Sequence, residues 1–218
     1  MIAAILGKKV GMTQVYDDQG NIVPVTVIQA GPCTVMQVKS AGAKDGYEAV
    51  QLGFQDVKPH RSTKPMIGHA ATAGTGPKAF VREVRLNGAT EAKPGDVVTV
   101  GVFEEKNVRF VDVVGTTKGA GTAGVMRRHG FGGQPNSHGT ERKHRSPGAI
   151  GAMAGQRGRG RCIKKGKRMA GQMGVDRRTA RSQKLVRIDR ENDLLLVQGS
   201  VPGPNGGFVM VRQSKTKT

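Results

Sequence analysis

Up to Gly115 the apolar residues either alternate with polar ones or gather in short runs, and turn formers separate them at roughly the eight-to-twelve-residue spacing of an all-β domain. Strands are predicted at Ile2–Leu6, Met12–Tyr16, Val23–Gln29, Thr34–Lys39, Glu48–Phe54, Phe80–Leu86, Val97–Phe103 and Val108–Val114. Asp17-Asp-Gln-Gly-Asn21 reads as the hairpin between two of them. Pro24 has no N–H for a ladder, so its strand is expected at an edge or beginning after it. Pro59, Pro65 and Pro77 mark residues 59–78 as an irregular excursion with one helical turn near Met66–Ala73, a candidate second contact surface.

The pattern lapses after Gly115 and resumes beyond Arg181, at Leu185–Ile188, Leu194–Gln198 and Phe208–Arg212. Between Lys118 and Arg181 lie 16 Lys and Arg and 15 glycines, against two acids, Glu141 and Asp176, and one aromatic, Phe131. Sixteen cations less two acids place 14 of the chain's net +19 in this one stretch. So few apolar residues predict no core here, and the charge points to a polyanion. The expected division is a β body of residues 1–115 plus 182–218 carrying a finger of residues 116–181, held at its base by neighbouring strands.

The cations cluster with glycine between them, which lets backbone approach phosphate while arginine forks grip the oxygens. Candidate RNA-binding residues are Lys118, Arg127, Arg128, His138, Arg142, Lys143, His144, Arg145, Arg157, Arg159, Arg161, Lys164, Lys165, Lys167, Arg168, Arg177 and Arg178. Close backbone approach is expected at Gly119, Gly121, Gly124, Gly148, Gly151, Gly171 and Gly174. If about half the 16 cations meet phosphates, log K should fall with log salt at a slope of roughly −6 to −7. Phe131 alone makes no stacking platform, which favours folded, double-helical RNA over single strands.

Other chemistries are poorly supported. Gly119-Ala-Gly121-Thr-Ala-Gly124 fits the dinucleotide fingerprint, yet Arg127-Arg-His-Gly-Phe-Gly-Gly133 is expected to break the helix that fingerprint needs. His129, His138 and His144 lack an acid or thiol to complete a metal site, and Cys33 and Cys162 form no zinc spacing. A reducing compartment is the default for two such cysteines. Met1–Leu6 ends at Gly7-Lys-Lys9, too short for a signal segment, and nothing approaches a membrane span. No catalytic motif or cofactor site emerges, so no enzyme is expected. A free nucleic-acid chaperone or nucleoid-type protein is the rival reading of the charge.

Several strings in order resemble the bacterial ribosomal protein L3 family of the large subunit over nearly the whole chain. They are Gly7-Lys-Lys-Val-Gly-Met-Thr13, Val23-Pro-Val-Thr-Val27 with Ala30-Gly-Pro-Cys33, Asp45-Gly-Tyr-Glu-Ala-Val50 and Gly115-Thr-Thr-Lys-Gly-Ala-Gly121. They continue with Ser137-His-Gly139, His144-Arg-Ser-Pro-Gly148, Lys165-Gly-Lys-Arg-Met-Ala-Gly-Gln-Met-Gly174 and Leu194-Leu-Leu-Val-Gln-Gly199 with Val201-Pro-Gly-Pro-Asn-Gly-Gly207. The resemblance implies a mainly β fold: a six-stranded translation-protein-type barrel with a small excursion and a long glycine-rich basic extension. It implies binding of large-subunit (23S) ribosomal RNA, nucleation of subunit assembly, a finger reaching toward the peptidyl transferase centre, and neighbouring ribosomal proteins as partners. It implies a cytoplasmic location, no membrane, no small-molecule substrate, no homo-oligomer, and methylation of Gln156.

The chain departs from that family in three places. Ala120 replaces a basic residue, and Arg128-His-Gly-Phe131 stands where Arg-Trp-Asn-Phe is common. The segment before Lys165 is longer than usual and has Arg159-Gly-Arg161 for a Thr-Pro-Gly turn.

Overall fold

The computed structural model describes residues 4–17, 19–42, 45–86, 88, 90–151, 163 and 165–217. It is mainly β, as the pattern predicts, and divides into two compact units: unit 1 is residues 1–117 with 177–218, and unit 2 is residues 118–176.

Unit 1 begins with β1 (Ala4–Tyr16), β2 (Ile22–Ala30), β3 (Cys33–Lys39) and β4 (Ala49–Asp56). A 3-10 turn (Pro59–Arg61) and α1 (Lys64–Thr72) lead to β5 (Lys78–Arg85), β6 (Val97–Val98), α2 (Gly101–Glu105) and β7 (Phe110–Thr116). After unit 2, which contains β8 (Gly121–Ala123), α3 (Val125–His129) and β9 (Gly171–Met173), come β10 (Arg177–Asp189), β11 (Leu194–Gln198) and β12 (Phe208–Gln213). Six of these strands pair antiparallel in the order β1-β12-β7-β10-β11-β2, and β2 pairs back with β1, so the ladder closes on itself. Strands β5-β4-β3-β6 form a second sheet.

One core joins the two sheets. Ile5, Leu6, Ile28, Val111, Val113, Leu195, Val197 and Val211 of the ring are fully buried with Val35, Val50 and Leu52 of the second sheet. Each such side chain contributes about 1.5–3 kcal/mol by leaving water. Phe54, Phe80 and Phe208 extend the core: the Phe80 and Phe208 rings stack with centroids 4.9 Å apart, and Phe54 meets Phe208 edge-on at 6.3 Å.

The structure departs from the sequence prediction where tertiary contacts outvote local pattern. Two expected strands, Ile2–Leu6 and Met12–Tyr16, are one 13-residue strand with a register shift between Lys9 and Gly11. Lys9 points inward; it is 7% exposed, and its Nζ donates to the carbonyls of Val201 at 3.0 Å and Gly203 at 3.3 Å. The strand expected over Val97–Phe103 is only two residues long before α2 begins. Val100 and Phe103 are three apart, the spacing of one helical face, and both are buried. In the excursion α1 runs longer than the single expected turn, with Pro65 in its first turn and Ala70 buried.

Strand β2 starts at Ile22 rather than after Pro24. The ladder with β11 ends at the Gln198–Val25 pair, so the missing N–H of Pro24 lies outside that pairing. The hairpin predicted at residues 17–21 forms: Gly20 N–H donates to the Asp17 carbonyl at 2.8 Å, and Asp17 N–H to that of Asn21 at 2.9 Å.

Strand β10 is longer than the predicted Leu185–Ile188 and starts inside the range read as the finger. Arg177 and Arg178 pair with Thr116 and Gly115. A bulge between Ala180 and Gln183 puts Ser182 at φ 51°, where its N–H donates to buried Asp112 Oδ1 at 3.0 Å. That carboxylate anchors the bulge.

Cys33 lies in the core between β1 and β3. Its S–H donates to the Leu6 carbonyl and its Sγ accepts from Leu6 N–H, both at 3.3 Å. Burial pushes the thiol from 9.0 up to about 12, with the Leu6 contact opposing. The neutral thiol is therefore favoured in the folded state. Its contribution to stability is present below the unfolded thiol's value, about 8.5, and is lost as pH rises from there toward 12. In a Cys162→Ser background the folded protein should resist a thiol reagent at pH 8 and react only as fast as it opens. Prompt stoichiometric labelling without denaturant would contradict this.

Candidate nucleic-acid interface

Unit 2 is built on a short hairpin-like pair. Strand β8 (Gly121–Ala123) pairs antiparallel with β9 (Gly171–Met173), and Ala120 N–H donates to the Met173 carbonyl at 2.8 Å. Between them, α3 (Val125–His129) starts at Gly124 and ends at Gly130, whose φ of 73° gives the left-handed C-terminal turn. Five residues cannot hold a helix alone. Arg128 Nη1 donates to the Met169 carbonyl at 2.8 Å, and His129, in the tautomer with its N–H on Nε2, donates to the same oxygen at 3.0 Å. These contacts, 41 and 40 residues apart in sequence, tie α3 to the approach of β9. Ala123 and Val125 are buried, so the stretch does have a small core, which its apolar poverty did not predict.

A helix therefore opens at the third glycine of Gly119-Ala-Gly121-Thr-Ala-Gly124, against expectation. The dinucleotide fingerprint fails instead because the flanking strand is three residues long and antiparallel to β9, where that fold needs a parallel βαβ crossover.

The expected contact residues fall into two described groups. At the base of unit 2, Lys118, Arg127 and Arg128 are exposed alongside Gly119, Gly121 and Gly124, while Gly171 and Gly174 are half-buried. Further out, Arg142 and Lys143 line a depression of about 610 Å³ with Gly139 and Gly148, and Arg145 is exposed beside them. His144 serves the fold: its Nδ1 lies 3.2 Å from the Pro135 carbonyl, and its own carbonyl accepts from Gln134 N–H at 2.9 Å. His138 is exposed and sits at φ 60°. Lys165, Lys167 and Arg168 are exposed on the approach to β9. Arg177 and Arg178 are exposed in β10, in unit 1. Arg157, Arg159, Arg161, Lys164 and Gln156 lie outside the described residues.

The glycines divide by what surrounds them. A Cβ on Gly174, at φ 79°, would collide with the Lys118 carbonyl oxygen, and one on Gly171 would come within 2.7 Å of Arg128 Nη1. The fold itself requires Gly174, where the obstacle is backbone, whereas at Gly171 the obstacle is the far end of the Arg128 side chain. At Gly124 and Gly151 a Cβ would meet nothing within 4 Å among the described residues, and Gly121 differs only in its φ of 64°. Gly119 would touch Val175 at 3.0 Å, and Gly148, at φ 74°, would touch Gln134 at 3.5 Å. The phenyl ring of Phe131 is half-buried and lies tilted 6.2 Å from the His129 ring. Among the described residues no cluster of three or more His, Cys, Asp and Glu could hold a metal.

Sequence reasoning missed the clamp on the Met169 carbonyl. Its only trace is a basic pair followed by a glycine, Arg128-His-Gly130, which looks the same whether it caps a helix or meets phosphate.

The family sequence model described as ribosomal protein L3 matches residues 37–194, all of unit 2 included. The chain belongs to the ribosomal protein L3 family. The large ribosomal subunit protein uL3 of Corynebacterium jeikeium is 51% identical over 97% of this chain and 94% of its own length. That of Acidothermus cellulolyticus is 51% identical over 97% and 92%, and that of Herpetosiphon aurantiacus 48% identical over 100% and 99%. Similarity to the L3 family thus runs past the matched range to both ring-closing strands, β1 and β12.

Proposed function

We propose that the protein is a structural constituent of the large ribosomal subunit in the cytoplasm, where it binds 23S ribosomal RNA and neighbouring ribosomal proteins and helps nucleate assembly. It is not an enzyme. The closed ladder is a barrel of the translation-protein type, and unit 2 is the core of a basic finger that runs into folded RNA toward the peptidyl transferase centre. The observation that carries this reading is unit 2 itself. It is internal, ordered on a β8–β9 pair and a carbonyl clamp, and displays Lys118, Arg127, Arg128, Arg142, Lys143, Arg145, Lys165, Lys167 and Arg168 outward. A loose cationic tail would need no such scaffold. Glycines with open surroundings let a phosphate backbone come to the main chain, and the exposed forks neutralise it.

Tagged full-length protein should sediment with the large subunit and stay there through a high-salt wash. Recovery in the light fractions, with equal binding to RNA and DNA, would instead mark a free nucleic-acid chaperone.

A further inference from the structure

Unit 1 carries its own cationic groove, of about 930 Å³, away from the finger's glycine-rich clusters in sequence. Arg85, Lys106, Arg177, Arg212 and Lys215 line it, with Glu83 the one acid among the lining residues. These cations come from β5, the turn after α2, the start of β10, β12 and the residue pair beyond it. One lining acid does not balance five lining cations. Glu83 is engaged with Lys39 at 3.1 Å, and burial of its carboxylate is outweighed by hydrogen bonds from Tyr47 and Lys39, so it stays ionised below the usual carboxylate range. The Arg85 guanidinium lies 4.5 Å from the centre of the Tyr47 ring, a cation–π contact that makes no use of its N–H donors.

Arg212 supplies the second observation. Its Nη2 stands 3.5 Å from Asp112, a long contact, and its Nε is buried with no hydrogen-bond partner. A guanidinium has five donors, and a buried one left unmet is costly. The side chain is 29% exposed, so an anion in the groove would accept from its outer N–H groups.

We propose that this groove is a second RNA site, taking consecutive phosphodiesters of the same ribosomal RNA independently of unit 2. It rests on the RNA-binding function proposed above. A phosphate chain fits better than a carboxylate-bearing peptide. The cations are spread along a groove rather than focused at a point, three of the five are arginines whose forks match phosphate oxygens, and the apolar floor at Leu86 and Met210 suits a ribose edge. It also gives Arg177 a task in unit 1, where its pairing with Thr116 places it.

The test measures full-length protein binding to large-subunit RNA across a salt series. The groove variant is Arg85→Gln/Arg177→Gln/Lys215→Gln, all three exposed, and the finger variant is Arg142→Gln/Lys143→Gln/Arg145→Gln. Each should flatten the slope of log K against log salt by about two to three units, near 0.9 per lost phosphate, and the two effects should add. The charge-keeping variant Arg85→Lys/Arg177→Lys/Lys215→Arg should hold the wild-type slope, which separates lost phosphate contact from a damaged fold. An unchanged slope in the groove variant with a flattened one in the finger variant would overturn the second site alone. No change in either would overturn the RNA reading of both.

Discussion

Replacing residues 117–176 by a two-residue Asn-Gly turn should leave unit 1 folded and remove the protein from salt-washed large subunits. The join is geometrically ready, because Thr116 and Arg177 are already opposite one another in the β7–β10 ladder, and a two-residue turn is the natural closure of such a pair. Strands β7 and β10 keep every pairing they have, including Asp112 at the Ser182 bulge. The cooperative melt of unit 1 should survive within a few degrees. Binding should not. If unit 2 supplies about six phosphate contacts, their loss at 200 mM salt is worth several orders of magnitude in affinity. The unit 1 groove alone should hold RNA weakly at low salt and release it in the wash. Retention of the shortened protein through the wash would place specificity in unit 1; loss of the melt would show that unit 2 is needed for folding.

Gly174→Val should open the base of unit 2 without touching unit 1. Two faults coincide. The backbone sits at φ 79°, which a β-branched residue resists, and the new Cβ would strike the Lys118 carbonyl oxygen with Gly119 Cα only 3.0 Å away. Neither contact is a flexible side chain that could step aside. A local cost of roughly 3 kcal/mol or more follows. Exchange of the Ala120 N–H, which donates to the Met173 carbonyl, should accelerate about a hundredfold, while amides of β2 and β11 keep their protection. Subunit incorporation should fall with it. Gly124→Ala is the contrast, since its Cβ meets nothing described within 4 Å. It should leave Ala120 exchange unchanged. Equal protection in Gly174→Val would mean that the β8–β9 pair does not depend on this glycine.

The sequence was most readable where side-chain alternation and burial agree. Thr26, Ile28 and Ala30, Leu195 and Val197, and Val209 and Val211 alternate inward along β2, β11 and β12, and those strands were predicted nearly to their ends. It was silent where pairing alone makes the strand. Residues 177–184 of β10 carry charge and polarity on both faces and are strand because β7 holds them. A lysine buried by two carbonyls, as at Lys9, looks in sequence like a turn residue. The cationic character of unit 2 was plain from composition. Its interior was not, because Arg128 and His129 reach a main-chain oxygen that no residue type announces. The groove of unit 1 was hidden for a similar reason: five cations scattered from Arg85 to Lys215 become neighbours only when the ladder closes.

That closure joins β1 to β12, with Ala4 opposite Arg212 and Lys8 opposite Phe208. During synthesis β1 emerges early and finds β2, but its other edge has no mate until the residues of β12 have been made. All of unit 2 leaves the translating ribosome before the ring of unit 1 can be sealed. The nascent chain thus shows its most cationic stretch to the surroundings first, and β12 locks the fold behind it.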